Sequence, residues 1–248
     1  MQFAQLKNLA KIFVRGGHIV LTLPKAITFD CYGTLIDWES SIQQFFAESL
    51  DSKGLGYVDP LTLQTEWEEI QFHYIQEQYR PYRQVLRDTM KMTFDKFDIP
   101  SDEEEVEEFA DSMGHWHPFS DTKDAIIELQ KYVKVVLITN TDNAIIAETE
   151  HTIGVKFDDI ITAEQAGAYK PSHKGFLLAR ERLGLQVSDI WHAGFGFKYD
   201  IVPATELGYT TVWVNRQGEG RPVDVKETFL VGDMRTLAYL VKGIAVSV

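Results

Sequence analysis

Apolar positions along this chain fall into two periods. After Pro24, Ala26-Ile27-Thr28-Phe29 is a short β-branched and aromatic run that ends at Asp30 and a turn, Cys31-Tyr32-Gly33-Thr34. It reads as a buried strand feeding a loop. From Trp38 to Gly114 the spacing becomes helical: Ile42, Phe45, Phe46 and Leu50 share one face of a first helix. Asp59 before Pro60, an N-cap followed by proline at the first helical position, opens a second helix to about Gln78. Tyr82 to Phe97 predicts a third. Ser101 with Glu104 predicts a capping box for a fourth that stops at Gly114.

Beyond Asp121 the periods alternate. A helix to about Tyr132 precedes the strand-like run Val133 to Ile138, and a further helix starts near Asn143. Strands follow near 159–162, 190–193 and 211–214, with helices near 172–183 and 200–207. Val231-Gly232-Asp233 reads as a helix start. Strands alternating with helices imply right-handed crossovers and a parallel sheet covered on both faces. The expected fold class is therefore α/β, a Rossmann-like parallel-sheet core with an all-helical cap inserted after the first strand. The expected parts are an N-terminal extension (1–23), a core (24–38 and 118–248) and the helical cap (39–117).

Charge sets the extension apart. All 37 acidic residues lie at or after Asp30, whereas Lys7, Lys11, Arg15 and Lys25 precede it. Residues 1–23 place Phe3, Leu6, Leu9, Ala10 and Phe13 at roughly helical spacing, which reads as an N-terminal helix, a targeting presequence or an extension without function. The net charge of -13 disfavours nucleic acid and anionic membrane surfaces as partners. No apolar run reaches the roughly 20 residues of a membrane span. The single cysteine, Cys31, excludes an internal disulfide or a thiolate metal cage, and a reducing cytoplasm is the expected location.

In an open α/β sheet, ligands bind beyond the carboxyl ends of the strands. Polar residues cluster at four such ends: Asp30 with Tyr32, Gly33 and Thr34; Thr139 with Asn140; Lys170-Pro171; and Asp200. Singly, each has an ordinary explanation as a turn residue or helix cap. In order and spacing, Phe29-Asp30-Cys31-Tyr32-Gly33-Thr34-Leu35, Ile138-Thr139-Asn140, Tyr169-Lys170-Pro171 and Gly194 to Asp200 resemble the four motifs of the haloacid dehalogenase superfamily. The run from Phe29 to Glu39 looks closest to the type II L-2-haloacid dehalogenase branch, which also includes hydrolases that open azetidine-2-carboxylate.

The resemblance implies a hydrolase of small 2-substituted carboxylic acids acting through an aspartyl ester. Asp30 would be the nucleophile, Lys170 the cation that neutralises it, and Asp200 the residue that positions or activates water. Thr34, Thr139 and Asn140 would orient Asp30 and the substrate, and Tyr32 would line the substrate site. Relatives in this branch are often dimers, so a homodimer is the expected assembly.

Two departures bear on cofactor and substrate. Superfamily phosphatases carry a second aspartate at position 32 and an acidic fourth motif that holds magnesium; here the residues are Tyr32 and Phe195. No cofactor is expected, with magnesium entering only if the chain is a phosphatase. The branch usually grips its substrate with a cap arginine, but none lies between Arg15 and Arg80, which leaves Arg80 and Arg83 as substitutes. Phe195, Phe197 and Phe176 replace polar family residues, so a more apolar pocket is expected. The alternatives are ring opening at a carbon bearing a carboxylate, a magnesium phosphatase, and a non-catalytic relative whose crevice is filled by Phe195 and Phe197.

Overall fold

The structure, a computed structural model, describes residues 22–247 and, ahead of them, a two-residue antiparallel pairing of Phe13–Val14 with Gly17–His18. The remainder of the expected N-terminal helix lies outside the described residues. Six strands form one parallel sheet: β1 (Ala26–Phe29), β2 (Lys134–Thr139), β3 (Asp159–Thr162), β4 (Ile190–Gly194), β5 (Thr210–Val214) and β6 (Phe229–Val231). Their spatial order is β3-β2-β1-β4-β5-β6. The chain therefore builds outward from β1 to β3, then returns to lay β4 on the other side of β1. That reversal opens a crevice beyond the carboxyl ends of β1 and β4. All four residues of β1 are buried, as a central strand covered on both faces requires. Of the six, β6 is the one absent from the expectations above; with three residues it is too short to carry a period.

Four helices leave and rejoin the sheet together: α1 (Trp38–Ser52), α2 (Pro60–Glu77), α3 (Tyr82–Lys96) and α4 (Glu103–Ser112). The chain departs after Asp37 and returns where Phe119 N–H donates to the Leu35 carbonyl at 3.0 Å. The fourth helix is capped one residue later than the spacing predicts. Asp102 accepts from the Glu105 N–H at 2.9 Å, and Ser101 stays outside. A carboxylate beside the positive end of the helix dipole outcompetes the serine hydroxyl.

The remaining helices cover the sheet: α5 (Thr122–Leu129), α6 (Asn143–Ile153), α7 (Ala163–Ala166), α8 (Lys174–Leu183), α9 (Val202–Glu206) and α10 (Met234–Ala245). Asp233 caps α10 by accepting from the Thr236 N–H at 2.7 Å. No helix among the described residues is long and apolar enough to cross a membrane.

The four-helix unit is stapled to the core at one point of chemical interest. The carboxylate of Asp142, at the start of α6, accepts from the N–H groups of Tyr82 and Arg83 at 2.7 and 2.8 Å. It serves two of the N–H groups left free at the N-terminus of α3, where Pro81 offers no side-chain cap. The Tyr169 hydroxyl donates to the Arg80 carbonyl at 2.6 Å beside it.

Candidate active site

Asp30 follows β1 directly, and the register Phe29 to Ala193 places it beside the end of β4. Its N–H donates to the Ala193 carbonyl at 3.0 Å, which fixes the main chain. The carboxylate is fixed from both sides. Thr34 Oγ1 donates to Oδ2 at 2.7 Å, and Lys170 Nζ donates to Oδ1 at 2.8 Å. The same Thr34 oxygen accepts from the Phe195 N–H at 2.8 Å, so one hydroxyl joins Asp30 to the main chain of the fourth motif. The carboxylate thus meets a hydroxyl at one oxygen and an ammonium at the other.

Lys170 bridges two acids. Its Nζ also donates to Asp200 Oδ1 at 2.6 Å, and all three side chains are buried. The main chain of Lys170 is held by Asn140, whose Oδ1 accepts from the Lys170 N–H at 2.7 Å and whose Nδ2 donates to the Lys170 carbonyl at 3.1 Å. Asn140 thus positions the lysine, and Thr34 positions the aspartate.

Asp200 sits in a π-helical turn, Phe197–Ile201, that follows Gly194-Phe195-Gly196. Its Oδ2 accepts from the Gly196 N–H at 3.2 Å, and His192 Nε2 donates to Oδ1 at 3.3 Å. A Cβ on Gly194 would strike this carboxylate. A Cβ on Gly33, whose φ is +94°, would strike the Phe195 ring. Both glycines are therefore required by close approach, and Gly33 also by its backbone conformation.

Burial and charge divide the two acids. Burial raises the Asp30 pKa, and the charge of Asp200 adds to it against the pull of Lys170 and Thr34. For Asp200 burial acts in the same direction, but Lys170 and His192 together outweigh it and hold the carboxyl below its ordinary range. Burial disfavours the Lys170 ammonium, yet the two carboxylates more than offset that and raise its pKa. The cluster keeps its lysine charged and makes Asp30, not Asp200, the acid that protonates more readily.

A pocket opens above Asp30, Asn140, Lys170 and Asp200, walled by aromatic rings, Trp38, Trp67, Tyr82, Trp116 and Tyr199 among them. Tyr32 lines it, with its hydroxyl 2.8 Å from Thr149 Oγ1. Burial pushes the phenols of Tyr32, Tyr82 and Tyr199 up, so they remain neutral. Phe195 lines it as well.

Other expected site residues lie elsewhere. Arg80 bonds the carbonyls of Tyr74 and Gln78, pairs with Glu77 and stacks on the Tyr74 ring at 4.2 Å. Arg83 pairs with Glu107 and Asp111 on α4, so the acidic run there is an ion-pairing face for α3. Neither arginine lines the pocket. Thr139 is buried with its hydroxyl unpartnered and makes no bond to Asp30. Phe197 packs edge-on against Trp213 at 4.9 Å, outside the pocket, and Phe176 lies in the core against His192. The pocket residues Glu68 and Gln71, and His192 beneath Asp200, carried no motif, and only their helical or strand register could have indicated them; Tyr199 lies within the fourth motif but was not singled out.

The donor set does not suit magnesium. Lys170 already occupies the position between Asp30 and Asp200, Tyr32 and Phe195 present rings, and among the described residues no group of three or more His, Cys, Asp or Glu could hold a metal ion.

Comparison with known proteins agrees with this geometry. The chain is 25% identical over 218 residues to an (S)-2-haloacid dehalogenase of Pseudomonas putida, covering 86% of this chain and 95% of that protein. It is 30% identical over 135 residues to a glyceraldehyde 3-phosphate phosphatase of Methanocaldococcus jannaschii, covering 51% and 58%. Its fold matches L-2-haloacid dehalogenase from Xanthobacter autotrophicus with chloropropionic acid covalently bound, at a TM-score of 0.79 and 18% identity over 90% of this chain and 100% of that one. A family model described as haloacid dehalogenase-like hydrolase matches residues 24–208, three-quarters of the sequence and every residue of the Asp30, Lys170 and Asp200 cluster, and the chain belongs to that family of hydrolases.

Proposed function

We propose that the protein is a 2-haloacid dehalogenase that needs no metal. The observation that carries this reading is the Asp30 carboxylate, held by Thr34 and Lys170 at the floor of a pocket lined by aromatic rings. One Asp30 oxygen attacks the carbon bearing the halogen, the carbon–halogen bond breaks, and halide departs with its electron pair. Halide needs no proton, which suits a site with Tyr32 where a second acid would otherwise stand. Water then adds to the Asp30 carbonyl carbon, and the ester breaks on its acyl side to return the carboxylate and release a 2-hydroxy acid. Asp200 accepts one proton of that water, the other passes to the departing alkoxide oxygen as the 2-hydroxy group, and the Lys170 ammonium offsets charge on the ester oxygen. A single displacement at carbon inverts its configuration.

The similarity to (S)-2-haloacid dehalogenases over most of the chain supports the substrate class. The lone buried thiol of Cys31 is compatible with a reducing cytoplasm. Chloride release from (S)-2-chloropropionate, with Asp30→Asn as the control, tests the proposal. Release by the wild type alone supports it. Equal release by both proteins, or none by either, overturns it.

A further inference from the structure

The pocket contains a carboxylate that this reaction does not use. Glu68 lies on α2 one residue after Trp67 and faces the same cavity as Asp30. It makes no hydrogen bond or ion pair among the described residues. Its surroundings are also acidic: Glu39 on α1, Glu219 after β5 and Glu69 on its own helix, against the single ammonium of Lys198. Lys198 Nζ lies 5.9 Å from the centroid of the Phe72 ring, one turn along α2. Burial, then Glu39 and Glu219, push the Glu68 carboxyl up to about 7. Lys198 lowers it only in part and forms no ion pair with it.

The rest of the pocket points the same way. Asp30 and Asp200 are anionic, and Lys170 has two of its three N–H donors committed to them. Arg80 and Arg83 are turned away. Aromatic rings line the walls, Trp38 and Trp67 with ring centroids 6.1 Å apart among them, and the face of such a ring attracts cations. A plain haloacid anion would enter a cavity whose fixed charges are mostly negative. A substrate with an ammonium group would compensate them.

We propose that Glu68 and the rings of Trp38 and Trp67 bind an alkylammonium group, so that the preferred substrate is a 2-substituted acid bearing an amine, a zwitterion. This rests on displacement at Asp30 for the chemistry but not for the binding. The distinction permits two separate readouts.

Binding is read from tryptophan fluorescence with 4-aminobutanoate and its isostere pentanoate, neither of which carries a leaving group. The wild type at pH 8 should bind 4-aminobutanoate at least about 10-fold more tightly. Glu68→Gln, checked for folding by circular dichroism, should erase that ratio. The ratio should also fade as the pH falls through about 7 and Glu68 takes up a proton. Equal affinities in the wild type, or a ratio that survives Glu68→Gln, overturn the proposal.

Chemistry is read as chloride released from 4-amino-2-chlorobutanoate and 2-chloropentanoate. A preference of about 10-fold in kcat/KM for the amine, lost in Glu68→Gln, extends the proposal to turnover. No chloride from either substrate, with the binding ratio intact, would refute displacement at Asp30 while leaving ammonium recognition standing.

Discussion

Lys170 reaches Asp30 across 140 positions of sequence, with Nζ donating to Oδ1 at 2.8 Å. The bond holds a buried carboxylate ionised and aims it, because Thr34 anchors the other oxygen. The same ammonium binds Asp200 at 2.6 Å, so one cation serves two acids with different tasks. A planar guanidinium would present a fixed fork; a compact ammonium accommodates two separate carboxylates.

Lys170→Met removes that charge at nearly constant volume. Turnover should fall by at least about 10²-fold, the scale of one lost electrostatic stabiliser. Asp30 and Asp200 would then be buried like charges with pKa values raised above those of the unfolded chain. The folded variant would bind the extra protons, so its stability should decrease as the pH rises, opposite to the usual behaviour of paired carboxylates. Chemical denaturation at pH 5 and pH 8 measures this, and equal loss at both would mean that Lys170 does not govern the two acids.

The pH profile follows from the directions of the three shifts. Asp30 must be ionised to attack, and its pKa lies above the ordinary 3.8. Single-turnover halide release should therefore decline on the acid side through a midpoint above that value, while Lys170, raised above 10.5, keeps its charge through the alkaline range. Asp200→Asn removes a neighbouring negative charge, so the acid midpoint of the first step should move down. Movement upward would contradict the coupling.

Oxygen-18 distinguishes covalent from direct hydrolysis. With enzyme in excess in labelled water, the first turnover should give mainly unlabelled 2-hydroxy acid and place solvent oxygen in the carboxylate of Asp30. Mass spectrometry of the peptide containing Asp30 reads the second half of that statement. Label mainly in the product would exclude the ester.

Magnesium tests the alternative phosphatase chemistry. Because Lys170 stands between the two carboxylates and Phe195 contributes a ring, dehalogenation should persist in excess EDTA. Phosphate esters should turn over negligibly with millimolar magnesium present. Robust phosphate release that depends on magnesium would require Asp200 to be reassigned as a metal ligand.

Much of this molecule is determined locally. The buried run Ala26 to Phe29, the helical periods from Trp38 to Gly114 and the caps at Asp59 and Asp233 depend on neighbours a few residues away, so they are legible in the sequence. The parallel sheet adds one long-range rule, that strand ends share a crevice, and this is why Asp30, Asn140, Lys170 and Asp200 were legible as one cluster. Tertiary structure alone decided the direction of side chains whose element has more than one neighbour. Arg83 lies on a helix packed between others, and the acidic face of α4 captures it before the pocket can. Glu68 follows a buried tryptophan at a position that periodicity leaves between core and solvent, and only the docking of α2 over the sheet turns it toward Asp30. Phe195 and Phe197 are two residues apart, yet the π-helical turn sends one ring to the pocket and the other to Trp213. Sequence spacing records which residues share an element; the packing partner, chosen by charge and shape between elements distant in sequence, decides which of them reaches the substrate.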